Sequence, residues 1–136
     1  MILTLLFVVH QHAMGFMNAK HTFRLFEDGG AIEVRALDPK DSETIAMIRR
    51  HLQMISKRFA DGDFEDPMAV HDRLPDGAAT MTELRSYITY KYSEVDDGGR
   101  VRIRTSNADA LKAVHEFLRF QIREHKTGDS TEVTRE

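Results

Sequence analysis

The side chains in this sequence best suited to chemistry are histidines, and the densest group of them is H-Q-H-A-M-G-F-M-N-A-K-H over residues 10–21. Wound as a helix, His10, Met14, Met17 and His21 would share a face; extended as a strand, His10, His12 and Met14 would. Either geometry gathers imidazole nitrogen and thioether sulfur. That donor set suits copper, Cu(I) above all, whereas imidazoles alone also suit zinc or nickel. His51, flanked by Met47 and Met54 on one helix side, and His71, in Val70-His71-Asp72, could add ligands. The candidate metal set is therefore His10, His12, Met14, His21, His51 and His71, with copper or zinc as the ion. Its spacing matches no established signature such as H-E-x-x-H. Each ring also has a competing role in packing, because histidine is intermediate in burial and needs only one nitrogen satisfied.

A second chemistry is anion binding. Arg24, Arg35, Arg102 and Arg104, with Lys91, fall on the outward positions of two alternating stretches and are opposed there by Glu33 alone. Such a face could take a phosphate or a nucleic acid backbone. Sheet readers of single-stranded RNA stack bases on exposed aromatics, however, and here Tyr90 and Tyr92 are expected to point inward. A solvated charged face is the simpler expectation, and nucleic acid is not the expected partner. No catalytic residue is assigned. The chain lacks G-x-S-x-G, a P-loop and G-x-G-x-x-G, and without cysteine it has no thiol nucleophile, thiolate metal site or disulfide.

The elements that must position these residues are legible as two similar units. HTFRLFEDGGAIEVRAL and ITYKYSEVDDGGRVRIRTS each alternate apolar and polar residues, break at Asp-Gly-Gly and resume, the pattern of a β-hairpin. Each is followed by a helical period: Ile45, Ile48, Leu52, Ile55 and Phe59 in the first, Leu111, Val114, Leu118 and Ile122 in the second. Both helices are expected to stop at a glycine, Gly62 or Gly128. This predicts an α+β domain built as a tandem ββα repeat, with a four-stranded antiparallel sheet and two long helices on one face. Its parts are an N-terminal apolar and His/Met segment (1–20), a first unit (21–63), a connector (64–86), a second unit (87–128) and a frayed tail (129–136). Superposing the units sets His21 against Ile88, His51 against Phe117 and His125 against Phe59. Three histidines thus stand where the sister unit is apolar. By the same comparison Met47 and Met54 are expected to be core filler, His115 to be exposed, and His125 to complement the helix dipole as a cation.

A length of 136 residues fits one domain, and a net charge of -3 excludes a global attraction to nucleic acid or acidic membranes. The opening MILTLLFVV is about half the length of a membrane span and lacks the basic start of an export signal. It is expected either to be a buried strand or to be the remnant of such a signal. The protein is accordingly expected in the cytoplasm or the periplasm. The segments HQHAMGF, FADGDF, PMAVHD and HEFLRFQIREHKTGD resemble those of an uncharacterised family of small bacterial proteins. The resemblance carries no activity and no site residues; it implies that the histidine-bearing segments belong together and that some relatives are exported. The sequence therefore points to a small non-enzymatic binding protein holding copper or zinc. The alternative is a structural, self-associating module that pairs as a homo-oligomer through the free sheet face or the apolar N-terminal strand.

Overall fold

The computed structural model describes residues 18–136. The strand expected near residues 1–9, and His10, His12 and Met14, lie outside the described residues. Alternation builds the two hairpins where expected. Strands β1 (Ala19–Phe26) and β2 (Gly29–Ala36) turn through Glu27-Asp28, and β3 (Ile88–Val95) and β4 (Gly98–Thr105) turn through Asp96-Asp97. The hairpins join antiparallel through β2 and β4, with Ile32 opposite Val101 and Gly30 opposite Ile103. Phe23, Leu25, Ile32, Val34, Val101 and Ile103 thereby share one buried face. Counted back from the turns, His21 stands level with Tyr90, not with Ile88 as superposition of the sequences has it.

Helix α1 (Ser42–Ala60) starts at Asp41, whose carboxylate accepts from the Thr44 backbone at 3.1 Å and from the Thr44 hydroxyl at 2.7 Å. Asn18 donates to the same pair and ties the start of β1 to this cap. Two short helices follow, α2 (Glu65–His71) and α3 (Ala78–Glu83), then a 3₁₀ turn at Arg85–Tyr87. The last helix, α4 (Ala108–His125), is capped by Asn107, which accepts from Ala110 at 2.9 Å. Both long helices lie on the apolar face of the sheet, where each fully buried side chain such as Leu52 or Leu118 contributes roughly 1.5–3 kcal/mol. Each crosses its sheet over a hairpin glycine. A Cβ on Gly30 would come within 2.3 Å of Leu118, and one on Gly99 within 3.0 Å of Leu52. The Asp-Gly-Gly motifs are therefore seats for helices as well as turn chemistry. No helix among the described residues is long and apolar enough to cross a membrane.

The observed architecture differs from expectation in three places. The sheet is five-stranded and mixed, not four-stranded and antiparallel, because residues expected to fray form β5 (Val133–Thr134), which pairs parallel to β1 in the order β3-β4-β2-β1-β5. Asp129 accepts the Phe23 amide at 2.9 Å and Thr134 accepts that of Glu27 at 3.0 Å, so the tail supplies acceptors along the outer edge of β1. Helix α4 ends on Lys126, a non-glycine residue in the left-handed region at φ 52°, two positions before the expected Gly128. Met47 and Met54 are exposed, not core filler, since α1 turns Ile48, Leu52 and Phe59 toward the sheet.

Candidate functional site

Four histidines from four different elements meet at one pocket. His21 rises from the core face of β1, His51 from the flank of α1, His71 from the last residue of α2, and His125 from the last turn of α4. Between them lie Phe23, Ile32 and Val34 of the sheet, Ile55 and Phe59 of α1, and Phe117 and Gln121 of α4. The free space is about 60 Å³ and partly open to solvent. A water molecule needs roughly 10–15 Å³ on this scale. The pocket therefore has room for an ion and a few small ligand atoms.

The rings touch one another. His21 and His125 stack with centroids 5.2 Å apart and planes 15° apart, and His71 meets His125 edge-on at 5.2 Å and 88°. Phe120 packs against His71 at 4.9 Å, and Phe23 against His125 at 5.7 Å. Such crowding disfavours the imidazolium form. Burial first, then the neighbouring His51, lowers the His21 pKa from its ordinary value to about 4. Burial, then His21 and His71, lowers that of His125 to about 4 as well. At neutral pH both rings are uncharged, the state in which imidazole binds metals. His125 is consequently not the dipole-complementing cation expected at a helix end.

His71 Nε2 lies 3.2 Å from the side-chain oxygen of Gln121 and donates to it, which leaves Nδ1 as the lone-pair nitrogen. Histidine ligands of metals characteristically have the other ring nitrogen held this way by a carbonyl or carboxylate. Asp66, at the rim, is already engaged by Arg58 at 3.1 Å through both oxygens. As the rings stand, the geometry is not a closed centre. Stacked imidazoles carry their lone pairs in parallel planes that do not meet at a point between them, and among the described residues no three His, Cys, Asp or Glu side chains are already disposed around an ion.

Of the residues singled out from sequence, His21, His51 and His71 are brought together here, joined by His125, whose place opposite Phe59 marked it as an exception. Gln121 was missed. Its signal was a polar residue one turn after Phe117 on the buried stripe of α4, where it is 4% exposed. His115 is half-buried, not exposed, and its Nε2 donates to the backbone oxygens of Phe26 and Gly29 at 2.8 and 3.1 Å.

The anion candidates lie on the opposite face of the sheet and are largely satisfied by the chain itself. Arg102 is 6% exposed, donating to Asp28 at 2.6 Å, to Glu136 at 2.9 Å and to the oxygens of Gly30 and Ile103, with its guanidinium over the Phe26 ring. Arg104 pairs with Asp28 and Glu136, and Arg35 with Glu33 and the Asp96 oxygen. Arg24 is exposed. Glu136 also pairs with Arg100, so the tail carboxylate serves three arginines.

Compared with known proteins, the chain matches no family model, no curated protein and no solved structure. Its function is accordingly argued from the pocket.

Proposed function

We propose that this is a small non-enzymatic binding protein that holds one copper or zinc ion in the histidine pocket, with ligands drawn from His21, His51, His71 and His125. The observation that carries the reading is that four imidazoles from separate elements line one ion-sized space. Support comes from the uncharged state of His21 and His125 and from the hydrogen bond that presents His71 Nδ1. Coordination requires one of the stacked rings to turn about its side-chain torsions. Imidazole ligands suit zinc and copper alike. The preference for Cu(I) rested on the thioether sulfurs of Met14 and Met17, which lie outside the described residues, and Met47 and Met54 do not line the pocket. His10, His12 and Met14 lie outside the described residues, and their part in binding is a separate arm of the test.

The test is metal uptake by protein purified without a metal-affinity tag, followed by competition titration with Cu(II) and Zn(II). One ion per chain is expected, with uptake lost in a His71→Phe/His125→Phe variant and weakened but retained in His10→Ala/His12→Ala. Equal uptake by the wild type and the His71→Phe/His125→Phe variant would place any binding elsewhere and sink the proposal.

A further inference from the structure

Residues 129–136 lie against the rest of the protein as a separate ligand would. The Asp129 carboxylate accepts the Phe23 amide, the Thr134 carbonyl accepts the Glu27 amide, and the Glu136 carboxylate meets Arg100, Arg102 and Arg104. Yet from Ser130 onward every residue of the segment is exposed, including its one large apolar side chain, Val133. Its strand pairs with β1 at Leu25 and Phe26 alone. Edge hydrogen bonds and exposed ion pairs without apolar burial are weak and are screened by salt. Such a segment is a cover that a competitor can displace.

The surface it covers is shaped for an extended acidic chain. On β2, Gly29 and Ala31 stand opposite Arg104 and Arg102 of β4. These small residues leave a shallow groove of about 500 Å³ on the face away from the helices, with Arg24 and Phe26 on one side and Arg100 on the other. The segment enters it at Thr134, beside β1, and delivers Glu136 to β4. In the row of residues that crosses the sheet through Arg102, Arg24 and Lys91 are exposed cations as well. Against all of these stand Glu136 and Asp28, since Glu33 is engaged by Arg35. The tethered segment therefore brings less negative charge than the face can accept.

Two observations favour a polypeptide over a nucleic acid. The β1 edge takes donors as well as acceptors, as the Thr134 hydroxyl on the Leu25 oxygen shows, and a phosphodiester backbone brings acceptors alone. Phe26, the aromatic on this face, lies 8% exposed under the Arg102 guanidinium, so it offers no platform on which a base could stack.

We infer that this face docks an extended acidic segment of another protein, which pairs with β1, sets a carboxylate over Arg100, Arg102 and Arg104, and displaces residues 129–136. A second carboxylate in the partner would serve Arg24 and Lys91. The surface lies across the sheet from the histidine pocket and needs no metal.

The test is binding of a capped, fluorophore-labelled peptide of residues 129–136, DSTEVTRE, to the full chain, read by anisotropy and by the shifts of the Phe23 and Glu27 amide resonances. In the wild type the tethered segment competes at an effective concentration on the order of millimolar, and binding is weak. Glu136→Ala in the full chain is expected to tighten it about tenfold and Asp129→Ala about threefold, each by weakening the competitor. The same peptide carrying Glu136→Gln is expected to bind about fivefold less tightly, and about 1 M salt to abolish binding. Peptide affinity equal in the wild type and both variants would overturn the inference. So would an oligothymidylate that the Glu136→Ala chain binds more tightly than the peptide, which would make the occupant a nucleic acid. A wild-type dimer that Glu136→Ala dissociates would make it a second copy of this chain. Should Glu136→Ala fail to fold, Asp129→Ala, which leaves both carboxylates on Arg102, carries the comparison.

Discussion

His21 of β1 and His125 of α4 stack face to face with centroids 5.2 Å apart, joining the first strand and the last helix through two imidazoles. The contact is favourable only while both rings are neutral. Unfolded, each ring titrates near 6.5; folded, each is depressed to about 4. Below pH 6.5 the unfolded chain therefore binds more protons than the folded one, and stability that is complete above pH 6.5 is lost as the pH falls toward 4. Burial is the main cause at both rings, and because His21 also contributes to the lowering at His125 the two shifts do not add in full, so the pair counts for about 3 kcal/mol or somewhat more. Urea unfolding of the metal-free protein at pH 7, 5.5 and 4 checks this. His125→Phe should flatten the profile, and a wild type equally stable at the three values would show that the rings are not held neutral.

The hairpins and long helices were legible because alternation and a 3.6-residue period report burial directly, as at Ile32, Val34, Ile48 and Leu52. Setting the two hairpin-helix stretches against one another also singled out His51 and His125, which line the pocket; His21 lines it too, but stands level with Tyr90 and not with the Ile88 that had marked it. What stayed hidden depends on contacts remote in sequence. Val133–Thr134 is too short to show a period, and its strand is set by Asp129 on the Phe23 amide and by Glu136 on the arginines. Arg102 reads as an outward cation until that tail lies over it. Gln121 reads as one more polar helix residue, because nothing local reveals that His71, 50 positions away, needs its oxygen.

His115 fastens α4 to the first hairpin turn, one ring nitrogen serving the oxygens of both Phe26 and Gly29. Replacing it with alanine leaves two carbonyls short of a donor. A loss of about 1–2 kcal/mol is expected in chemical denaturation, with metal uptake unchanged because the ring is not among those lining the pocket. Metal uptake that fell in parallel would mean that His115 supports the pocket through the helix.

Glu136 neutralises Arg100, Arg102 and Arg104 on the face away from the helices. Glu136→Ala removes one of two carboxylates from the nearly buried Arg102 while Asp28 remains, so a destabilisation of about 1–3 kcal/mol is expected. The same change leaves the three guanidinium groups under-neutralised, and retention on heparin should move to higher salt. Elution unchanged from the wild type would show that Asp28 and the Phe26 ring suffice to occupy these arginines.

A ligand that binds only the folded chain stabilises it by mass action, and an ion at about 100 times its dissociation constant contributes about 2.7 kcal/mol. For a domain of this length that is on the order of 10 °C in Tm. Zn(II) or Cu(II) should therefore raise the melting temperature of the wild type and of His115→Ala by similar amounts, since both keep the pocket, and should have little effect on His71→Phe. The contrast separates the pocket from incidental binding by exposed histidines of the unfolded chain, which would lower Tm in every variant. A shift of the same size in His71→Phe would exclude Nδ1 of that ring as a ligand, and with it the role of the Gln121 oxygen in presenting it.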